Sequence, residues 1–127
     1  MLAIDSSSWI AYLQGEQGSD TDLVEQTLKD RQGVLPPVVL SELFSDPNLS
    51  DDLRSYLLDL PLLIIQAGYW ERVGSLRAKM LEKKLKAKLA DSMIVQSCVD
   101  HGVPLVSRDL DFKNFLKVTK FTLFITP

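Results

Sequence analysis

The stretch LADSMIVQSCVDHGVPLVSRD, residues 89–109, gives the clearest indication of the fold. Apolar side chains recur at helical spacing over residues 89–100, and His101-Gly102 ends the pattern, because glycine commonly follows the last residue of a helix. Leu105-Val106 is then an apolar run of strand length, and Asp109 lies just beyond it. A helix that leads into a short buried strand is the repeating unit of a parallel α/β sheet.

The same alternation of short apolar runs and helical patterns extends over the rest of the chain. The predicted strands are residues 2–4, 34–35, 62–65, 105–106 and 121–125. The predicted helices are residues 7–13, 20–28, 38–45, 50–59, 67–86 and 89–100. No hairpin signal joins the strands, so they are expected to pair in parallel through helical crossovers. We therefore predict an α/β fold, a three-layer α/β/α sandwich around a mainly parallel sheet of about five short strands.

Length and composition limit the classes of protein to which the chain can belong. The 127 residues, 46% hydrophobic and 24% charged, fit one globular domain over residues 1–127. The counts of six Gly, six Pro and one Cys exclude collagen-like and disulfide-framework proteins. A net charge of −3 excludes a global basic field, so any nucleic-acid contact must use a local patch. No apolar run is long enough to span a bilayer, and we expect a cytoplasmic protein without membrane contact.

Four acidic residues fall at the ends of predicted elements. Asp5 follows the first strand, Glu42 lies on the helix after the second, Asp91 begins the helix before the fourth, and Asp109 follows that fourth strand. Parallel strands all end at one edge of a sheet, and that edge is where open α/β sheets bind ligands. Each acid alone has an ordinary explanation, such as a helix cap or a turn. Their convergence on one edge favours a shared site.

Such a cluster of carboxylates needs a compensating charge. Two carboxylates about 5 Å apart repel each other by roughly 3 kcal/mol at an effective dielectric constant near 20. Oxygen ligands favour Mg²⁺ or Mn²⁺, whereas a single His and a single Cys give little support for a zinc site. A carboxylate-held Mg²⁺ suits phosphodiester hydrolysis, because the ion orients water and stabilises developing negative charge. The residues leave open whether one or two ions bind.

Four local patterns together resemble the PIN domain family, and most closely its small VapC-type toxin ribonucleases. The patterns are residues 4–7 (IDSS), 36–43 (PPVVLSEL), 89–94 (LADSMI) and 102–112 (GVPLVSRDLDF). Each pattern is weak alone, but their order and spacing are fairly specific. The resemblance covers essentially the whole chain.

The resemblance implies a metal-dependent endonuclease of single-stranded RNA that uses Mg²⁺ or Mn²⁺. Its catalytic and metal-binding residues would be Asp5, Glu42, Asp91 and Asp109. Ser107 would support the site through a hydroxyl hydrogen bond, and Asp111 would be a fifth acid ranked below Asp109. The resemblance also implies a homodimer and a cognate antitoxin protein, neither of which the residues show independently.

Basic residues near these acids are candidates for contact with RNA. Arg72, Lys79, Lys83 and Lys86 lie within about 60° of one another if the predicted helix 67–86 is continuous. A basic stripe beside an acidic site would attract phosphates, although a solvated helix face explains the same pattern. Arg108, next to Asp109, could touch the scissile phosphate or could form an ion pair with Asp111.

Two other functions remain open at this point. A receiver-like or phosphatase-like domain also gathers acids around Mg²⁺ to transfer a phosphoryl group. Against it, no Asp-x-Asp follows the first strand and no Asp ends the predicted strand 62–65. A catalytically inactive PIN-type module that only binds RNA is the second alternative, but the presence of all four matching acids argues against it.

Overall fold

A computed structural model describes residues 1–125, which form a four-stranded parallel sheet and the helices that pack against it. The strands are β1 (Leu2–Ile4), β2 (Gly33–Val34), β3 (Leu105–Ser107) and β4 (Leu123–Ile125). They lie in the order β2-β1-β3-β4, and all three pairings are parallel. This confirms the predicted α/β fold with a parallel central sheet, with four strands in the described residues where about five were expected.

In the part of the chain that the structure describes, six α-helices and a 3₁₀ helix connect the strands. The α-helices are α1 (Ser6–Leu13), α2 (Ser19–Lys29), α3 (Pro37–Phe44), α4 (Asp51–Asp59), α5 (Tyr69–Glu82) and α6 (Leu89–His101), and the 3₁₀ helix spans Leu110–Lys117. Helix α1 packs against α2, and α5 packs against α6. Within residues 1–125, no helix has the length and apolar character needed to cross a membrane.

The core lies on and around the two central strands. Every residue of β1 and β3 is buried, as expected for strands of a parallel sheet covered by helices. The face of α5 that packs inward is buried as well, and it consists of Tyr69, Val73, Leu76 and Met80. Trp9 on α1 and the pair Phe112 and Phe115 on the 3₁₀ helix are the largest fully buried side chains.

The predicted strand at residues 62–65 is wrong. This segment makes a single parallel bridge, between Leu62 and Leu35, and only Leu63 is buried, whereas Ile64 is 76% exposed. The reason lies in its pairing partner, because Leu35 is followed by Pro36-Pro37. Proline has no backbone N–H and cannot continue a ladder of hydrogen bonds. The run therefore pairs with the edge of the sheet at Leu35 alone and does not extend into a strand.

The predicted helix 67–86 is also too long, because α5 ends at Glu82. Lys84 adopts a left-handed conformation (φ 58°), the Lys84 N–H donates to the Leu81 carbonyl, and the Leu85 N–H donates to the Met80 carbonyl. These two bonds form the Schellman motif that commonly ends helices at glycine. A lysine in that position does not mark the end of a helix in the sequence, and the helical spacing therefore predicts a helix that continues past Glu82.

The last predicted strand and the segment before it differ from expectation as well. The strand begins at Leu123 and not at residue 121, and the 3₁₀ helix Leu110–Lys117 was not predicted. Asp109 accepts the Asp111 N–H at 2.9 Å and so caps this helix. The turn directs Phe112 and Phe115 into the core and leaves Asp109 and Asp111 at the edge of the sheet.

Candidate metal centre

The acidic site lies where the order of the strands changes direction. From β1 the chain moves to β2 on one side and later to β3 on the other, so the carboxyl ends of β1 and β3 border a crevice. Ligands of open α/β sheets bind at such a switch point. Asp5 leaves β1 and Asp109 follows β3. Helix α6 runs back from this edge toward β3, which brings Asp91 in its first turn to the same crevice.

Three carboxylates converge in this crevice. Asp91, Asp109 and Asp111 each have an oxygen atom within 4.8 Å of the others. Asp91 is buried, and Asp109 and Asp111 are half-buried. The geometry therefore places Asp111, which the sequence ranked below Asp109, in the same group of converging carboxylates as Asp109. The hydrogen bond from the Asp111 N–H fixes the Asp109 side chain, and the 3₁₀ turn that it caps places Asp111 in the same group.

Asp5 lies at the base of the crevice and is held by two hydroxyl groups. Its side chain is buried, and its Oδ2 accepts hydrogen bonds from Ser7 Oγ at 2.6 Å and from Ser107 Oγ at 2.8 Å. Burial raises the pKa of Asp5, and the two hydroxyl bonds oppose this rise because they favour the ionised carboxylate. The same bonds fix the rotamer of Asp5, so the carboxylate is already oriented before any ligand binds.

Three consecutive serines in the first turn of α1 each bind a different carboxylate. Ser6 Oγ donates to Glu42 Oε1 at 3.2 Å, Ser7 Oγ donates to Asp5, and Ser8 Oγ donates to Asp20 Oδ2 at 2.8 Å. Successive helical residues point about 100° apart, so one turn can reach three separate partners. No role was predicted from the sequence for Ser6, Ser7 or Ser8. A run of hydroxyl residues directly after a strand-ending acid was the available signal.

Asp91 carries the clearest electrostatic evidence for a cation site. Burial, followed by the charges of Asp109 and Asp5, raises the pKa of Asp91 from 3.8 to about 6, although Lys88 opposes the rise. The amino-terminal turn of α6 also favours a negative side chain. Burial and repulsion together thus disfavour the ionised Asp91 carboxylate more than Lys88 favours it, and a bound cation would stabilise the ionised form.

Glu42 stands at the rim of the same site. It reaches the crevice from α3, is exposed, and is held by Ser6. Partial burial and the negative charge of Asp5 raise its pKa. Glu42 is outside the group of three converging carboxylates, but its charge contributes to the raised pKa of Asp91, so it is electrostatically coupled to both Asp5 and Asp91.

The donor set fits a small divalent cation. Carboxylate oxygens are the ligands that Mg²⁺ and Mn²⁺ prefer. Ligands about 2.1 Å from an ion lie at most about 4.2 Å apart, so oxygens within 4.8 Å of one another can share an ion after small side-chain shifts or through water. Lys86 Nζ, 3.1 Å from Asp111 Oδ2, supplies one positive charge at the rim. Both lysine and aspartate are partly exposed, so the ion pair is weak enough to rearrange.

The basic residues that the sequence offered for RNA contact lie in different environments. Because α5 ends at Glu82, the four do not form one helical stripe, and that prediction is wrong. Arg72 pairs with Asp100 at 2.7 Å, Lys83 is 3.5 Å from the Lys117 carbonyl, and Lys79 is exposed. Lys86 lies at the acidic site and pairs with Asp111, whereas Arg108 pairs with Asp20 and Glu16.

The parallel sheet and its crevice of carboxylates define an α/β protein with an acidic site at the switch point. The sequence profile of the PIN domain matches residues 2–117. The chain therefore belongs to the PIN domain family. No curated protein matches the chain closely enough to be counted as a relative.

Solved structures of toxin–antitoxin complexes share this fold. One is a chain of VapBC2 from Rickettsia felis, solved with a DNA fragment from the VapBC2 promoter. It has a TM-score of 0.75 and 17% sequence identity, and the match covers 99% of this chain and 98% of that chain. A chain of DNA-bound VapBC from Salmonella typhimurium has a TM-score of 0.75 and 15% identity, over 98% and 96%. A toxin–antitoxin complex from Klebsiella pneumoniae has a TM-score of 0.68 and 19% identity, over 88% and 90%. At these identities the likeness establishes the fold.

Proposed function

We propose that the protein is a metal-dependent endonuclease that cleaves single-stranded RNA and acts as the toxin of a toxin–antitoxin pair. The observation that carries this proposal is the grouping of Asp91, Asp109 and Asp111 beside Asp5 at the switch point of the sheet. Membership of the PIN domain family supports it, because PIN domains are generally nucleases that use a divalent metal. Cleavage of the phosphodiester bond is the reaction to which such an acidic site is suited.

In this proposal Asp5, Asp91 and Asp109 hold Mg²⁺ or Mn²⁺, with Glu42 as a fourth acid and Asp111 as a fifth. The bound ion would supply the positive charge that orients water and offsets charge on the phosphate. The protein's own groups prepare the site. Ser7 and Ser107 fix the Asp5 carboxylate, and Ser6 holds Glu42 at the rim. Because Asp5 and Asp91 are buried, they keep their orientation without help from solvent.

The toxin role is supported by the fold shared with the toxin–antitoxin complexes. A cognate antitoxin, a homodimer and action in the cytoplasm belong to this proposal. The inactive-module alternative is less well supported, because all four expected acids are present and three carboxylates converge. The phosphotransfer alternative is less well supported because the match to the PIN domain spans residues 2–117.

The proposal predicts that RNA cleavage requires a divalent cation. With a labelled single-stranded RNA, we expect cleavage in Mg²⁺ or Mn²⁺ and a rate at least about 100-fold lower in EDTA, because the acids alone repel the phosphate. DNA of the same sequence is the matched control and is expected to remain intact. An equal rate in EDTA would refute the metal requirement. Failure of the folded, metal-bound protein to cleave any of a panel of transfer, messenger and ribosomal RNAs would favour a binding role.

A further inference from the structure

The guanidinium of Arg108 lies against the loop between α1 and α2. Its Nε donates to Asp20 Oδ2 at 2.9 Å, and its Nη2 donates to Asp20 Oδ1 at 2.8 Å. Nη1 lies 3.2 Å from Glu16 Oε2, and Nη2 also donates to the Gln17 carbonyl at 3.4 Å. Four donor contacts thus occupy the group that the sequence offered to a scissile phosphate.

Arg108 and Asp20 form a bidentate ion pair in which the carboxylate is fully buried. The Asp20 side chain is 0% exposed and also accepts the Ser8 hydroxyl, while the Arg108 side chain is 27% exposed. A buried carboxylate needs a well-oriented partner, and the two parallel N–H bonds of a guanidinium match its geometry. By contrast, Lys86 and Asp111 are 61% and 31% exposed. Releasing Arg108 to bind RNA would leave a carboxylate buried without this partner.

Arg108 also lies between two residues of the acidic site along the backbone. Its own N–H donates to Ser7 Oγ at 3.3 Å, and the N–H of Asp109 donates to Ser107 Oγ at 2.9 Å. Ser7 and Ser107 in turn donate to Asp5. The guanidinium therefore anchors, from outside the crevice, the short backbone segment that presents the Asp109 carboxylate within it.

We infer that Arg108 and Asp20 are a positioning pair for Asp109, and that Arg108 does not contact RNA. This inference rests on the proposed metal-dependent function. Breaking the ion pair would let the end of β3 move, and the acidic residues would then bind a divalent cation more weakly. Residues that orient metal ligands typically contribute about 10- to 100-fold to metal affinity or activity.

The test is Mn²⁺ affinity of the Arg108→Lys variant, measured by calorimetry without RNA. Lysine keeps the positive charge but cannot make the two parallel hydrogen bonds to Asp20. A loss of Mn²⁺ affinity would therefore not come from a change in net charge near the metal site. We expect Mn²⁺ binding about 10-fold weaker than in the wild type. Affinity for RNA, measured by fluorescence anisotropy in EDTA, is expected to stay within about twofold, with an unchanged dependence on salt. Glu16→Gln, which removes an exposed contact of the same guanidinium, should match the wild type in both assays.

Other results would overturn the inference in distinguishable ways. Wild-type Mn²⁺ affinity with RNA binding weaker by more than about twofold would make Arg108 an RNA ligand, because lysine cannot reproduce the paired bonds of a guanidinium to phosphate. Unchanged affinities for both ligands would make the pair a structural contact only. Absence of Mn²⁺ binding in the wild type would overturn the proposed function together with this inference. If Arg108→Lys does not fold, the double variant Arg108→Met with Asp20→Leu removes both buried charges, and the same loss of Mn²⁺ affinity is expected.

Discussion

RNA cleavage by the Asp91→Asn variant is expected to be about 100- to 1,000-fold slower than cleavage by the wild type in Mg²⁺, with the fold retained. The substitution keeps the shape of the side chain but removes the charge at the centre of the carboxylate cluster, where Asp91 lies within 4.8 Å of Asp109 and Asp111. Asp5→Asn is expected to lose the same activity. Its amide oxygen can still accept the hydroxyl bonds from Ser7 and Ser107, so the fold should be preserved.

The control for this prediction is Asp59→Asn, since Asp59 is an exposed acid at the end of α4. It makes the same chemical change away from the crevice and should cleave RNA at the wild-type rate. Circular dichroism of all variants would show whether activity is lost without unfolding. Wild-type activity in both Asp91→Asn and Asp5→Asn would show that the crevice is not the catalytic centre.

The same Asp91→Asn variant is expected to be more stable than the metal-free wild type at neutral pH. The pKa of Asp91 is raised from 3.8 to about 6, so the folded protein binds the Asp91 proton more tightly than the unfolded chain does. Stability that this group contributes is therefore present below pH 4 and is lost as the pH rises from about 4 to 6. The resulting decrease in the free energy of unfolding is at most about 3 kcal/mol. Asparagine cannot ionise and avoids the loss.

Urea unfolding in EDTA at several pH values would measure this difference. At pH 7.5 the free energy of unfolding of the variant should exceed that of the wild type by up to about 3 kcal/mol. The difference should shrink toward zero near pH 4, where Asp91 is protonated in the wild type. Comparing the two proteins at each pH removes the contributions of other titrating groups. A variant that is less stable at pH 7.5, or a difference that does not depend on pH, would refute the proposed repulsion.

The sequence predicted the location of the site because a few local rules determine it. Asp5, Asp91 and Asp109 stand at the ends of elements whose apolar runs are easy to recognise, and a parallel sheet brings those ends to one edge. Gly102 ends α6 with φ 62°, as its sequence position indicated. These inferences needed only the period of the helix and the direction of the strands.

The details that the sequence missed depend on contacts between distant residues or on backbone conformations without a residue signature. Arg108 and Asp20 are 88 positions apart, so nothing local indicates their pairing. Lys84 takes the left-handed conformation that glycine would have signalled. Asp111 joins Asp91 and Asp109 because a 3₁₀ turn follows β3, and that turn was not evident from hydrophobic spacing.

The unpredicted end of α5 also explains why the predicted stripe of basic residues is wrong. A helical wheel groups Arg72 and Lys86 only while the helix continues, and α5 ends before Lys86. In the structure, Lys86 forms an ion pair with Asp111, and Arg72 forms an ion pair with Asp100. Charge pattern alone therefore selected Lys86, which lies at the acidic site, together with residues that do not, and it did not distinguish residues available to RNA from those already paired within the protein.

Calorimetric titration of Mn²⁺ into the wild type, Asp91→Asn and Asp59→Asn at pH 7.5, without RNA, tests the central claim most directly. The account predicts saturable binding to the wild type and to Asp59→Asn, and binding at least about 10-fold weaker to Asp91→Asn, because the crevice loses one of its three converging carboxylates. No binding to the folded wild type, or equal affinity in the wild type and Asp91→Asn, would contradict the assignment of this crevice as a metal centre.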